Sequence, residues 1–364
     1  MNDVDELKQF AVVHARAQNI GGYRTVLDRI GNDDPRGGPG SWAGEWQLAG
    51  EEQEAAGRLL EACRHYAMAR FPYVDGPARQ TAGERCIDAF DTWRTQDGRT
   101  IERLDIETDG GRIGGWAAGL SADRPRPVLL IMGGIVTVKE QWGPVLVQAK
   151  RLGMAGIVTE MPGIGENTTP YDDKSWRMIP AVLDAVASRA DVDDTYAVAL
   201  SFSGNLALRC AVHDLRIRGI VTAGAPIDAF FSDRAWRAGL PRVTVDTLAH
   251  LTGTPPEHAV ERMSGHVIDA AALEALDIPV HSVVSARDEI IPDADIQSLR
   301  SHVRRLHLLN NDDVHGSPGH VVESRLWTVQ SVLRMRRAQA AQRAVIGLLL
   351  GAARARRRLA GTRS

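Results

Sequence analysis

Three side chains far apart in the chain, Ser201, Asp288 and His315, are of the types that make an acyl-transfer centre together. They are a hydroxyl nucleophile, a carboxylate that orients a ring, and the imidazole base itself. Ser201 lies in Tyr196-Ala-Val-Ala-Leu-Ser-Phe-Ser-Gly-Asn-Leu-Ala-Leu-Arg209, an apolar run that breaks at a small-x-Ser-x-small turn and continues with helical spacing. A strand-turn-helix of this form holds the serine in a strained conformation at the carboxyl edge of a sheet. There Oγ is exposed and the next backbone N–H can meet a developing oxyanion. The turn ordinarily carries glycine on both sides; Ala199 and Ser203 stand in those places, and both are small. A buried strand followed by a helix with a serine cap reads from the same run.

The remaining residues follow in a definite order. Ile278-Pro-Val-His-Ser-Val-Val-Ser285 is rich in β-branched residues, and Asp288 comes just past it, with Glu289 as the fallback acid. Leu306-His-Leu-Leu309 reads as the last strand, so His315 falls on the loop beyond it, ahead of a helix from about Val321. His320 is the rival base, with a capping or surface role as its alternative. Asp312 and Asp313 compete with Asp288 for the imidazole, and Asp288 is preferred because it follows a strand directly. Upstream, Pro127-Val-Leu-Leu-Ile-Met132 is an unbroken apolar run of the kind that forms a buried central strand, and Gly133-Gly134-Ile135 follows at once. A Gly-Gly loop allows close backbone approach, and the N–H groups of Ile135 and Phe202 are the expected oxyanion donors, worth several kcal/mol when preorganised. An ordinary tight turn between strand and helix is the other reading of Gly133-Gly134.

These residues need a sheet to carry them. Residues 1–98 read as a helical unit interrupted by a Gly/Pro/Asp loop over 31–40, with apolar residues at helical spacing between Glu51 and Phe71. A hairpin opens near Ile101, and strands near 127–132, 155–159, 195–200, 218–223, 279–285 and 304–309 alternate with helical patterns, which predicts a mainly parallel sheet. The order Ser, Asp, His, each after a strand, is that of an α/β-hydrolase. The expected fold is therefore α/β: an α/β-hydrolase domain over 99–335, a helical N-terminal cap or dimerisation unit over 1–98, and a basic Ala/Arg-rich helix or tail over 336–364. The segment from about 225 to 277 is longer than a crossover needs and reads as a helical lid supplying the pocket walls, or else as an extension of the helical layer. Gly134, Trp142, Asp228, Phe231 and Trp236 are the candidate substrate-binding residues, although Asp228 and Asp233 also suit helix caps and buried Trp is commonly packing.

Gly133-Gly-Ile-Val-Thr-Val-Lys-Glu140, Glu160-Met-Pro-Gly-Ile-Gly-Glu166 and Ala199-Leu-Ser-Phe-Ser-Gly-Asn205 together resemble the α/β-hydrolases grouped with the fermentation/respiration switch, or FrsA-like, esterases. The resemblance covers roughly residues 40 to 335. It implies a serine-nucleophile acyl hydrolase or a mechanistic cousin, since the family extends to a carbon–carbon hydrolase of nicotine breakdown and tailoring enzymes of secondary metabolism. It places the nucleophile on Ser201, the acid on Asp288, the base on His315 and the oxyanion donors on Ile135 and Phe202. Two departures stand out: the replaced turn glycines, and Val136 where relatives carry an acidic residue.

Composition narrows the function classes. A net charge of −3 offers no global attraction to nucleic acid or anionic membrane. No apolar run is long enough for a stable membrane insertion, and the first residues lack a secretory pattern, so cytoplasmic localisation is expected. Cys63, Cys86 and Cys210 have neither disulfide-framework nor zinc spacing, and no metal or cofactor is expected. The expected partner is a small-molecule substrate, with a homodimer as the possible assembly. The alternatives are a carbon–carbon hydrolase, cyclase or lyase on the same fold, and a non-catalytic binding module.

Overall fold

The run Pro127–Met132 becomes β3 at the middle of one sheet, buried along nearly its whole length, as expected of a strand covered on both faces. The computed structural model describes residues 2–96, 98 and 100–361. Around β3 lie β1 (Ile101–Thr108), β2 (Gly111–Ala118), β4 (Ala155–Thr159), β5 (Asp191–Leu200), β6 (Ile217–Ala223), β7 (Val280–Ser285) and β8 (Leu306–Asn311). The sheet order is β1-β2-β4-β3-β5-β6-β7-β8. The β1–β2 hairpin and the β2–β4 pair are antiparallel, and every other pair is parallel. Parallel strands all point their carboxyl ends to one rim, so the loops after β3, β5, β7 and β8 converge there. That common rim is what brings residues 134, 201, 288 and 315 together.

Among its described residues the N-terminal unit holds five helices: α1 (Val4–Gln18), α2 (Tyr23–Arg29), α3 (Trp42–Ala55), α4 (Leu59–Arg70) and α5 (Pro77–Arg94). It has a core of its own around Leu7, Trp42, Trp46, Met68 and Phe71, joined by Val243 from the segment after β6 and by Val136 from the loop after β3. A buried guanidinium ties the unit internally, because Arg79 donates to Asp33 at 2.6 Å, to Asp75 at 2.7 Å and to the Phe71 carbonyl at 3.0 Å. The expected boundary at 98/99 falls beside residue 99, which lies outside the described residues.

The remaining helices are α6 (Leu146–Ala149), α7 (Met178–Val186), α8 (Phe202–His213), α9 (Ala229–Ser232), α10 (Arg234–Arg237), α11 (Arg242–Thr252), α12 (Pro256–Arg262), α13 (Ala270–Glu274), α14 (Asp293–His302), α15 (Val321–Met335) and α16 (Ala340–Gly361). Helices α9 to α13 make up the excursion between β6 and β7. Its entrance is held by Asp295 of α14, whose carboxylate accepts the N–H groups of Ile227, Asp228, Ala229 and Phe230 at 2.7–3.3 Å. Burial of Asp295 pushes its pKa up, against the four N–H groups that favour the charged form. The C-terminal tail is helical as far as Gly361, and residues 362–364 lie outside the described residues. This helix packs on α15, with Arg357 reaching Glu323 at 3.0 Å and Gln342 reaching the Arg151 carbonyl at 3.1 Å. Among the described residues no helix is long and apolar enough to cross a membrane.

Candidate active site

Ser201 sits between β5 and α8 with φ 59° and ψ −128°, a left-handed backbone conformation that a non-glycine residue adopts only under constraint. The constraints are visible. The Ser201 N–H donates to the Ala223 carbonyl at the end of β6 at 2.7 Å, and its own carbonyl accepts from Gly204 at 2.8 Å. Ser203, in place of the second glycine, uses its hydroxyl to bind the carbonyls of Met132 at 3.2 Å and Leu200 at 3.0 Å. The elbow is therefore laced to the end of β3 by a side chain that glycine could not supply. Gly204 is the residue with no room: a Cβ there would meet Thr222 Oγ1 at 2.2 Å, so α8 can approach β6 only through glycine.

Ser201 Oγ lies 3.1 Å from His315 Nε2, and His315 Nδ1 is 2.9 Å from both oxygens of Asp288. Asp288 is fixed in turn by the N–H groups of Ile290 at 3.0 Å and Ile291 at 2.8 Å. Glu289 accepts the backbone N–H of His315 at 2.9 Å, so it anchors the loop without touching the ring. Burial disfavours a charged His315, but the Asp288 charge and hydrogen bond, with Glu289 behind, outweigh it and raise the pKa above its ordinary value. Gly224 leaves room for the pair, since a Cβ there would stand 2.6 Å from His315 Cε1.

On the other side of Ser201, Gly134 approaches so closely that an added Cβ would lie 3.1 Å from the serine Cβ. The Gly134 carbonyl is turned away and held by the Thr137 N–H at 3.2 Å and hydroxyl at 3.1 Å. The N–H groups of Ile135 and Phe202 donate to no group among the described residues. The N-terminal unit also reaches this loop: the buried Arg70 of α4 donates from Nη2 to the Val136 carbonyl.

Of the residues expected to bind substrate, Gly134 borders Ser201 directly. The Trp142 indole nitrogen is sealed, without a partner among the described residues, against Gly133, where a Cβ would come within 2.4 Å, so Trp142 backs the Gly133-Gly134-Ile135 loop. Trp236 donates to the Ile290 carbonyl at 2.9 Å and, with Asp288 and Gly224, lines a cavity of about 190 Å³ behind the acid. Phe231 is buried against Phe230 and His266, which makes it part of the excursion's core. Asp228 is exposed and its side chain caps nothing, because its backbone N–H is drawn to Asp295 and its carboxylate turns to solvent. Asp233 caps α10 through the N–H groups of Ala235 and Trp236.

The rival residues sort themselves by contact. His320, for which a capping or surface place was the expectation, is buried, and its Nδ1 pairs with Asp313 at 2.8 Å. Asp313 also binds the N–H of Gly319 at 2.7 Å and of Val314 at 3.0 Å, while the exposed Asp312 pairs with Arg287. Neither Asp312 nor Asp313 touches His315. The roles of Ser203, Glu289, Arg70 and the Asp313–His320 pair are not legible along the chain, where the polarity of Ser203 at a glycine place is the local signal.

A family profile described as "Esterase FrsA-like" matches residues 42–270, a span that includes Gly133-Gly134-Ile135 and Ser201. The chain belongs to the FrsA-like esterase family. Esterase FrsA of Vibrio cholerae serotype O1 is 25% identical over 231 residues, covering 59% of this chain and 55% of the relative. Esterase FrsA of Photobacterium profundum is 22% identical over 248 residues, covering 62% and 58%. The chain thus spans little more than half the length of these curated relatives. Among solved structures, AbyA5 is 50% identical with a TM-score of 0.93, covering 96% of this chain and 99% of that one. The 2,6-dihydroxy-pseudo-oxynicotine hydrolase, 18% identical with a TM-score of 0.70 over 88% and 94% of the two chains, shares the fold. The match to the FrsA-like profile ends before Asp288 and His315, which the fold brings to Ser201 through their contacts.

Proposed function

We propose that this FrsA-like chain is a serine hydrolase that cleaves an ester or related acyl bond of a small or medium organic molecule through an acyl-enzyme. The observation that carries this is the contact series Ser201 Oγ to His315 Nε2 at 3.1 Å and His315 Nδ1 to Asp288 at 2.9 Å. With Nδ1–H donated to Asp288, the neutral ring presents Nε2 as an acceptor to the serine hydroxyl. As Oγ attacks the acyl carbon, its proton passes to Nε2, and Asp288 stabilises the imidazolium that results. The carbonyl oxygen gains charge in front of the free N–H groups of Ile135 and Phe202, which donate to it as the tetrahedral adduct forms. The imidazolium then protonates the leaving oxygen, the alcohol departs, and Ser201 is acylated. Water entering next gives a proton to Nε2, attacks the acyl carbon and releases the acid, restoring the hydroxyl.

Fluorophosphonate labelling with mass mapping tests the reading. A covalent adduct on Ser201, lost in Ser201→Ala together with ester turnover, is the expected result. Ester turnover retained by Ser201→Ala would move the assignment to acid–base work by His315, and so to the carbon–carbon hydrolase, cyclase or lyase alternative. An enzyme that takes no label and turns over no ester would be left as a binding module. Cytoplasmic residence and a homodimer belong to the same proposal; sedimentation at working concentration tests the dimer.

A further inference from the structure

We propose that His14, carried by the N-terminal helix α1, contacts the substrate and hydrogen-bonds an oxygen that the ester bears beyond its reacting carbonyl. The proposal rests on the acyl-enzyme reading above and deepens it by naming a substrate class: acyl esters with a hydroxyl, ether or keto oxygen on the chain, in preference to plain alkyl esters.

The placement of α1 is the first ground. Near its start, the Glu6 carboxylate accepts the N–H groups of Arg242 at 2.7 Å and Val243 at 2.9 Å, the first residues of α11 in the excursion. Near its end, the Ala17 carbonyl accepts from Arg325 of α15. Between these ties α1 packs on the Pro318–His320 turn, three residues past His315. The helix therefore bridges the excursion and the last catalytic loop. Its inward face is Leu7, Ala11 and Ala15, and His14 follows Ala11 by three residues, one helical turn along that side.

The second ground is hydrogen bonding. His65 pairs with the Glu61 carbonyl at 2.7 Å, His266 with the Met263 carbonyl at 3.2 Å, and His320 with Asp313. His281 leaves Nδ1 without a partner, but it is sealed in the core beside His307 and Trp327. His14 is half-buried, tilted on Phe71 with ring centroids 5.1 Å apart, and neither ring nitrogen has a partner among the described residues or is sealed from the surface. A ring held by packing, with both polar atoms left open beside a catalytic loop, is suited to a ligand.

The third ground is charge. Burial, then the positive charges of His315 and Arg70, hold the His14 pKa down to about 4. Both groups flank the reacting serine, the His315 imidazole, neutral at rest, through Oγ and the Arg70 guanidinium through the Val136 carbonyl of the oxyanion loop. The ring is accordingly neutral at working pH, with one N–H to donate and one nitrogen to accept. An uncharged group of that kind recognises a neutral hydroxyl, ether or keto oxygen, and a plain alkyl chain leaves it unpaired.

The test uses the full chain with p-nitrophenyl butyrate and its 2-hydroxy, 3-hydroxy and 3-methoxy forms, comparing wild type, His14→Phe, His14→Gln and, on the same helix, Lys8→Gln. Wild type is expected to prefer at least one oxygenated ester by about tenfold in kcat/KM, in the range that one hydrogen bond supplies. His14→Phe should erase that preference, His14→Gln should return part of it, and Lys8→Gln should keep it whole. A helix that mattered only for packing would change all the esters by one factor. Equal loss across the esters, a preference untouched by His14→Phe, or no preference in wild type overturns the proposal. A chain whose Ser201 takes no fluorophosphonate label loses the acyl-enzyme reading and this one with it. A chain that is labelled but indifferent to His14 loses this one alone.

Discussion

One loop and the turn beyond it carry two imidazole–carboxylate pairs of nearly equal length, His315 with Asp288 at 2.9 Å and His320 with Asp313 at 2.8 Å. The difference lies in what each pair leaves free. His315 keeps Nε2 pointed at Ser201, and its acid arrives from a different loop, past β7. His320 is tied to an acid on its own loop, which also collects the N–H groups of Val314 and Gly319. The first pair joins two strand ends across the rim, whereas the second ties the loop to itself. A His–Asp contact thus marks function only when the far nitrogen of the ring faces a reacting group.

Separate substitutions should pull the pairs apart. His315→Ala is expected to lower kcat about ten-thousand-fold with little change in melting temperature, as for loss of a triad base. His320→Ala should instead lower stability by about 1–3 kcal/mol in denaturant unfolding and keep kcat within about tenfold. Equal losses of turnover in the two variants would break the comparison.

The acids give the next contrast. Asp288→Asn should cost about a thousand-fold or more in kcat through the wrong tautomer, while Asp313→Asn should be read mainly in stability. pH adds a sign. Because Asp288 and Glu289 raise the His315 pKa against burial, kcat/KM should rise with pH through a midpoint above about 6.5, as the ring loses its proton. The same shift makes the charged His315 pair a stabilising contribution that is complete below about 6.5 and lost as pH climbs through the raised value. A midpoint at or below that figure would contradict the assigned geometry.

Smaller effects concern the serine side of the rim. Gly134→Ala puts a methyl group 3.1 Å from the Ser201 Cβ, and about a ten- to hundred-fold loss of kcat with intact folding is expected as the proposed oxyanion donor Ile135 is pushed back. Ser203→Ala removes the hydroxyl bound to the Met132 and Leu200 carbonyls; about 1 kcal/mol of stability should go, measured by urea unfolding. An unchanged unfolding midpoint would mean that the elbow does not need its lacing.

Much of this arrangement is legible along the chain. An unbroken apolar run marks β3, β-branched and leucine-rich segments mark β7 and β8, and residues 201, 288 and 315 each follow a strand, so the rim can be read in order. The loop pairings are not legible in that way. Asp312, Asp313 and Asp288 are chemically alike, and spacing cannot say which of them meets which imidazole; the backbone N–H groups of Gly319 and Val314 decide that Asp313 turns toward His320. Asp228 and Phe231 are both candidates for the pocket by sequence, Asp228 suiting a helix cap as well, yet Asp295 pins the entrance of the excursion, the carboxylate of Asp228 turns outward and the ring of Phe231 enters the core. The C-terminal helix has charge and periodicity, but neither names α15 as its neighbour.

Local chemistry is what the residue string determined by itself: periodicity selects strand or helix, and small residues around Ser201 permit the strained turn, because both depend on neighbours a few positions away. Which polar groups meet was left to the tertiary structure. Contacts such as Arg70 with Val136 or Glu6 with Arg242 join positions 66 and 236 apart, and they exist only after the N-terminal unit has docked over the rim. Hydrogen bonds are short-ranged and directional, so no spacing along the chain encodes them until packing brings donor and acceptor within about 3 Å.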